Sequence, residues 1–383
     1  MSDAGFMRRA LDLAERGRGL TSPNPMVGAV LVREGRIVGE GVHLKAGGPH
    51  AEIDALAGAG DAARGATLYV TLEPCAHHGR TPPCVQAVIR AGVARVVAAL
   101  ADPNPLVIGG GAARLREAGI AVEIGLLADD AERQNRTWLT AVREWRPHVT
   151  LKAAATLDGK LADVHGTSKW ITGEPARLHV HRLRAESDAI VVGITTALRD
   201  DPALTVRLDR PWPREPYRVV LDSEARLDPD ARLIHAATPA RALVAVAVDA
   251  PTVAVLALEN AGATVLRCPT RDGRVDVAAL LARLFELDVR AVLVEGGGET
   301  HAAFLDAGLV DRVALFLAPL LLGGRDAPGV VGGGGRELKS ALRLGPIAAT
   351  RLGDDLLLEA DVLKPEVGAE RGAPGGRRES RDT

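Results

Sequence analysis

Apolar and polar positions alternate along this chain in short stretches that change period every ten residues or so. Near the start, "MSDAGFMRRALDLAERGRGL" has the 3.6-residue spacing of a short amphipathic helix, without the continuous apolar core of a signal peptide. "VGAVLV" and "EGRIVGEGVHL" then predict a hairpin. After them "TLYVTL" and "RVVAAL" read as strands, and "VQAVIRAG" and "ARLREAGI" as helices. A polar helical stretch from Asp129 to Trp145 is stopped by Pro147, and a new strand opens in "RPHVTLKAAATLDGKLA", which predicts a domain boundary near residues 144–148. Beyond it "DAIVVG", "RVVLDS", "AVLVEGG" and "VALFLAPLLLGG" predict four more strands separated by helices or loops. Strands alternating with helices imply an α/β architecture in both halves. The end, "GAERGAPGGRRESRDT", has almost nothing apolar and predicts a disordered tail over residues 365–383.

At 383 residues the chain has room for two or three domains of about 150 residues each. A net charge of −2 and 3% aromatic residues remove the basic field and stacking platforms of a nucleic-acid binder. The longest apolar candidate, "RALVAVAVDAPTVAVLALENAG", is broken by Asp249 and Pro251, so no membrane span is expected and the protein should be cytoplasmic. Three cysteines, Cys75, Cys84 and Cys268, are too few for a disulfide framework. Cys268 reads as a small buried thiol.

The chemistry begins at "GGPHAEIDAL", where His50 stands two residues before Glu52 at a helix start. By itself this pair suits ordinary capping and the helix dipole. Downstream, "TLEPCAHHGRTPPC" places Cys75 at a strand end and Cys84 at the head of a helical segment. One imidazole and two thiolates fill three tetrahedral positions on zinc and leave a fourth for water, with Glu52 outside the metal shell as proton carrier. The order His-x-Glu, Pro-Cys, Cys is that of the zinc deaminases. The bland alternative makes both cysteines buried small hydrophobes. Eight residues between the cysteines add a loop with His77, His78 and Arg80; the two histidines are alternative ligands or, as favoured here, substrate contacts.

In the second half, "AVLVEGGGETHAAFLDAG" is a buried strand, three glycines and a helix. Backbone N–H groups and the helix dipole there suit a cofactor phosphate, although Gly-x-Gly-x-x-Gly is missing and a plain tight turn remains the alternative.

Residues 1–145 resemble the deaminase half of the bifunctional riboflavin-biosynthesis deaminase/reductase family, on "TSPNPMVGAVLV", "GVHLKAGGPHAEIDAL", "TLEPCAHHGRTPPC" and "ALADPNP". "LKAAATLDGKLA", "GTSKWITG" and "RLRAESDAIVVGITTALRDDPALTVR" resemble its reductase half. The resemblance covers about residues 1–362 and implies a cytidine-deaminase-like three-layer sandwich over 1–146 and a dihydrofolate-reductase-like α/β domain over 147–364. It implies zinc and NADPH as cofactors, hydrolytic deamination of a diaminopyrimidinone ribosyl phosphate, and hydride reduction of its ribosyl group to ribityl. It also suggests a homo-oligomer, a dimer through the reductase domains.

By the same match Asn24, His43, His77, Arg80, Asp102 and Asn104 are candidates for the first substrate. Ala154, Trp170, Thr196, Asp200, Gly297, Gly298, Glu299, Thr300, His301, Ala302 and Ala303 are candidates for NADPH, with Ser223 a weaker one. Ser168, Arg184, Leu204, Arg207 and Glu295 are candidates for the second substrate, and Lys152 and Asp200 stand nearest the reacting carbon. Guanidinium groups at 184 and 207 suit a phosphate held by paired hydrogen bonds. Residue by residue, plainer readings stand beside these: Asx turns at Asn24 and Asn104, a strand-end histidine at His43, a core aromatic at Trp170, a turn in "RDDP", a solvated helix face at Arg184. Trp138 and His148 depart from the aromatics expected near the boundary, and "VIGGG" is richer in glycine than expected. Two rivals are a nucleic-acid base deaminase with an appended binding domain and a non-catalytic metabolite sensor.

Overall fold

The computed structural model describes residues 1–76, 82–104, 110–238 and 241–364. The predicted tail therefore lies outside the described residues.

The first half is one mixed sheet with helices on both faces. In chain order it contains α1 (Asp3–Glu15), β1 (Gly28–Arg33), β2 (Arg36–Val42), α2 (Ala51–Ala59), β3 (Thr67–Leu72), α3 (Cys84–Ala91), β4 (Arg95–Leu100), α4 (Gly110–Glu117), β5 (Ala121–Ile124), α5 (Ala128–Gln134) and α6 (Arg136–Glu144). The sheet order is β2-β1-β3-β4-β5. β1 pairs antiparallel with β2 and β3, while β3, β4 and β5 run parallel. Successive residues of β1 face opposite layers: Ala29 and Leu31 pack with Ala51, Ala55 and Val88, whereas Val30 and Val32 pack with Phe6, Met7 and Leu139.

The polar stretch 129–145 is two helices rather than one. Asn135 turns its side chain onto residue 26, accepting from the Met26 N–H at 2.8 Å and donating to the Met26 carbonyl at 2.9 Å. That long-range clamp outweighs helix propensity at this position.

The second half begins with β6 (His148–Thr156), α7 (Glu174–Ala185), β7 (Ala189–Gly193), α8 (Ile194–Asp200), β8 (Tyr217–Leu221), α9 (Arg232–His235), β9 (Ala242–Ala247), α10 (Thr252–Asn260) and β10 (Thr264–Cys268). A small hairpin of β11 (Thr270–Arg271) and β12 (Arg274–Val275) precedes α11 (Val277–Glu286), β13 (Ala291–Val294), α12 (Gly298–Asp306), β14 (Arg312–Ala318), β15 (Ala348–Leu352) and β16 (Asp355–Asp361). Nine strands form a sheet in the order β10-β9-β8-β7-β13-β6-β14-β16-β15. The seven strands from β10 to β14 are parallel; β16 and β15 are antiparallel additions at one edge.

The long apolar run is β9 followed by α10, with Asp249 and Pro251 between them. Among the described residues no helix is long and apolar enough to cross a membrane. The strand expected in "VALFLAPLLLGG" stops at Ala318, and Leu320–Leu322 are exposed, with Leu321 at 75%. His148 is buried and its register partner is Ala291 on β13; burial holds the imidazole below its usual pKa. None of the described apolar clusters mixes residues from the two halves.

α2 lies very close on β2. A Cβ on Gly39 would sit 2.2 Å from the Ala55 carbonyl oxygen, and one on Gly41 would sit 2.0 Å from that of Ala51. Glycine lets the helix backbone descend onto the strand, and Asp54 fastens it by accepting from the Val42 N–H at 3.2 Å. Gly41→Ala should therefore cost about 1–3 kcal/mol in urea denaturation, as overpacking does. Gly58→Ala, whose Cβ meets only Gly39 Cα at 3.9 Å, should stabilise the same helix by about 0.5–1 kcal/mol.

Candidate active sites

The carboxyl end of β3 meets the N-termini of α2 and α3. His50 is the N-cap of α2, and Cys84 is the first residue of α3. Cys75 follows β3 on a segment fixed by Glu73, whose buried carboxylate accepts from the Ala112 N–H at 2.7 Å and the Asp102 N–H at 3.1 Å. A Cβ on Gly111 would fall 2.1 Å from the Pro74 carbonyl oxygen, so the glycine in the first turn of α4 is demanded by its approach to the segment that carries Cys75.

His50 Nδ1 lies 3.1 Å from Cys84 Sγ and 3.6 Å from Cys75 Sγ, and the three donor atoms all fall within 4.8 Å of one another. Donors of a tetrahedral zinc site with ordinary bond lengths lie roughly 3.5–3.8 Å apart. The soft sulfurs and the imidazole thus fit zinc in kind and spacing. The Cys84 N–H also points at Cys75 Sγ, at 3.4 Å. As a thiol–thiol–imidazole cluster the three share protons. The hydrogen bond with Cys84, aided by His50, holds Cys75 down to about 4 against burial, while Cys75 and burial push Cys84 up. His50 is raised by its bond to Cys75. Glu52 is 3% exposed, and burial pushes its carboxyl up to about 7. The reading of the cysteines as inert core residues does not survive this geometry.

Asn24 and His43 stand against the same cluster. Asn24 Nδ2 is 3.1 Å from His43 Nε2, His43 Nδ1 is 2.9 Å from the Pro49 carbonyl, and the His43 and His50 rings meet edge to face at 5.5 Å. Asp102 makes an Asx turn, accepting from the Asn104 N–H at 2.9 Å. His77 and Arg80 lie outside the described residues.

The second site is a cavity of about 1090 Å³ at the carboxyl ends of the parallel strands. Its floor carries a buried charge cluster. Arg184, on α7, holds Glu295 with two bonds, Nε to Oε1 at 2.6 Å and Nη2 to Oε2 at 3.0 Å, and Lys152 Nζ lies 3.6 Å from Glu295 Oε2. Burial would raise Glu295, but Arg184 and Lys152 together hold it down to about 2; burial lowers Lys152. The paired bonds expected between Arg184 and a phosphate are made instead to Glu295, and the solvated-face reading of Arg184 fails because the side chain is only 12% exposed. Arg207 lines the cavity and donates through its N–H to His181 Nδ1 at 3.2 Å. His181, unremarked in the sequence, is held down to about 4, first by burial and then by Arg184 and Arg207.

Ala154, Ser168, Trp170, Thr196, Asp200, Ser223, Gly297, Gly298, Glu299, Thr300 and Ala303 also line the cavity. Trp170 is 73% exposed beneath the Arg177 guanidinium, so it is no core aromatic. Asp200 closes α8, and the left-handed residue of "RDDP" is Asp201. Leu204, His301 and Ala302 are buried outside the lining. His301 Nδ1 is instead 2.7 Å from the Val330 carbonyl. At the three glycines a Cβ on Gly296 would meet the Thr300 side chain at 2.5 Å, and one on Gly298 the Gly329 carbonyl oxygen at 2.7 Å. The space over Gly297, open to Thr196 Oγ1 at 3.7 Å, leads to the first turn of α12 and suits a dinucleotide phosphate. Residues 326–332, which form part of this wall, carry no motif that marked them, and neither does Arg226 at the end of the cavity beside β8.

Family models match both halves: the cytidine and deoxycytidylate deaminase zinc-binding region over residues 1–100 and the RibD C-terminal domain over residues 147–358. The riboflavin biosynthesis protein RibD of Aquifex aeolicus is 43% identical over 364 residues, covering 93% of this chain and 97% of its own length. That of Escherichia coli is 45% identical over 346 residues, covering 86% and 91%. The structure of Acinetobacter baumannii RibD superposes with a TM-score of 0.85 at 39% identity over 94% of this chain and 99% of that one. A Thermotoga maritima diaminohydroxyphosphoribosylaminopyrimidine deaminase/5-amino-6-(5-phosphoribosylamino)uracil reductase gives 0.81 at 36% identity, covering 94% and 99%. With both catalytic regions present in this order over nearly all of the described length, the chain belongs to the RibD family of bifunctional riboflavin-biosynthesis deaminase/reductases.

Proposed function

We propose that residues 1–146 deaminate 2,5-diamino-6-ribosylamino-4(3H)-pyrimidinone 5′-phosphate and that residues 147–364 reduce the ribosyl group of the product to ribityl with NADPH. The observation that carries the first assignment is the meeting of His50, Cys75 and Cys84 beside buried Glu52. These three would hold zinc, which when bound acidifies a water towards neutrality. Glu52 takes a proton from the attacking water and delivers it to the amino nitrogen, so that water and the C–NH₂ group leave as C=O and ammonia. Asn24 and His43, with Asp102 and Asn104 on the opposite loop, hold the ring and ribose edges; His77 and Arg80 complete the set.

NADPH held in the second site would supply the hydride for C1′. Lys152 gives a proton to the ribose ring oxygen as the C1′–O bond opens, and Glu295 keeps the ammonium charged in a buried place. Arg207 and Ser168 meet the sugar phosphate, with Arg184 setting Glu295 and Leu204 shaping the wall from behind. Ala154, Trp170, Thr196, Asp200, Ser223 and the segment 297–303 hold NADPH, His301 and Ala302 by fixing the turn rather than by touching the cavity. Reduced thiols at Cys75 and Cys84 suit the cytoplasm.

The chain also works as a homodimer. Leu321, Leu338 and Ile347, all between β14 and β15 in the chain, are 75%, 93% and 61% exposed, and β15 is the edge strand of the nine-stranded sheet. Exposed large apolar side chains and an open sheet edge call for a partner, and a second copy supplies the same groups.

An assay of the full chain with zinc, NADPH and the pyrimidine substrate, following ammonia and NADPH oxidation separately, tests the two activities. Cys75→Ala or Glu52→Ala should abolish ammonia release while reduction of supplied deaminated substrate persists; loss of both activities in folded protein would count against separate sites. Glu295→Gln leaves two buried cations without their anion and should lower reduction at least about a hundredfold, costing about 3–5 kcal/mol of stability, with ammonia release intact. In sedimentation the wild type should run as a dimer and Leu321→Glu as a monomer; a monomeric wild type would refute the dimer.

A further inference from the structure

The loop joining α1 to β1 belongs to the deaminase half, yet it is held by the reductase half. At Gly19, where φ is +71°, a Cβ would stand 2.4 Å from the Ala185 carbonyl oxygen and 2.9 Å from the Trp212 ring. The loop backbone therefore rests directly on the end of α7. Three residues on, Ser22 Oγ donates to Asp188 Oδ2 at 2.8 Å. Arg18 adds a looser pair with Glu186 at 3.6 Å.

Asp188 is a stiff anchor. Its carboxylate is 2% exposed and also accepts from the Arg290 N–H at 2.6 Å, the Ala291 N–H at 3.0 Å and the Arg214 guanidinium. It cannot shift without uncovering the start of β13. The loop turns at once after Ser22, with the Asn24 N–H bonded to the Thr21 carbonyl at 2.9 Å. Asn24 then donates to His43 Nε2, because His43 Nδ1 carries the hydrogen given to the Pro49 carbonyl. The Asn24 carbonyl oxygen is the group left to accept from a pyrimidine amino or ring N–H.

We propose that the reductase half positions the pyrimidine-binding asparagine of the deaminase half, with Gly19 and Ser22 clamped on residues 185–188 so that Asn24 meets the substrate in one orientation. This rests on reading the His50–Cys75–Cys84 cluster as the deamination site. Asp188 and Ser22 are positioning residues, since neither touches the reacting atoms. The clamp lies beside a cavity of about 770 Å³ between the halves, lined by Ser22, Asn24 and Asp188, so little apolar packing stands in for it there.

The test uses full-length protein loaded with zinc, comparing wild type, Ser22→Ala, Ser22→Thr and Gly19→Ala for ammonia release from the pyrimidine substrate. Ser22→Ala and Gly19→Ala should each raise KM roughly five- to tenfold, the scale of the net contribution of one hydrogen bond, with kcat within about twofold. Ser22→Thr, which keeps the hydroxyl, should restore KM. Zinc content and NADPH oxidation on deaminated substrate should match wild type. An unmoved KM in both disruptive variants overturns the proposal, as does a joint fall in zinc content and kcat that marks general damage. A wild type that releases no ammonia overturns the deaminase reading itself, and the positioning role with it.

Discussion

Two helix N-termini meeting at the end of one parallel strand make the first site possible. Thiolates and an attacking hydroxide are anions, and the positive ends of α2 and α3 favour both before any metal arrives. The Cys84 N–H aimed at Cys75 Sγ is the local form of that field. The arrangement holds only while α2 stays down on β2, which is why Gly39 and Gly41 bear on the chemistry although they lie outside it. It also needs Cys75 to be stiff, and Glu73 provides that by tying the strand end to the loop at Asp102 and to α4.

The second site solves a different problem. Hydride transfer is best served by a dry pocket, yet a proton donor must stay charged within it. Placing one carboxylate, Glu295, between a guanidinium and an ammonium gives the buried cluster a single excess positive charge. That excess suits an entering phosphate, and the bidentate Arg184 bond keeps the carboxylate aligned with Lys152. Both sites therefore lie where parallel strands end, because there the backbone N–H groups and the loops after each strand face one crevice.

How much of this was legible in the amino-acid order follows the range of each interaction. His50, Glu52, Cys75 and Cys84 could be read because the chemistry demands those residue types in local strings at helix and strand ends. The alternation of strands and helices could be read for the same reason. What could not be read depends on contacts far apart in the chain: Arg184 reaching Glu295 across 111 residues, Asn135 reaching Met26 across 109, Ser22 reaching Asp188 across 166. Asn135 and Ser22 carry no local signal, and Arg184 reads as a phosphate contact or a solvated helix face. The break at Asn135 is decided by its distant partner Met26 rather than by periodicity, and β14 ends at Ala318 because Pro319 has no N–H for the ladder. Leu204, His301 and Ala302 sit in strings that point to a site, but α12 turns His301 and Ala302 into the interior, and Leu204 is buried from the loop after α8.

The halves keep separate apolar cores, and beside the Trp145 ring on Phe285 and the Gly19 backbone on Trp212 they are joined by polar pairs: Arg146 with Asp311, Arg136 with Asp361, Ser22 with Asp188. Apolar contacts tolerate sliding, whereas paired hydrogen bonds fix direction. Arg146 makes that point most firmly, since both of its terminal nitrogens engage Asp311 and the two side chains are only 13% and 10% exposed. An interface of this kind contributes little net stability, because the charges lose hydration as they pair. Its value lies in orientation, and an oriented interface lets one half of the chain lend a fixed edge to the site of the other.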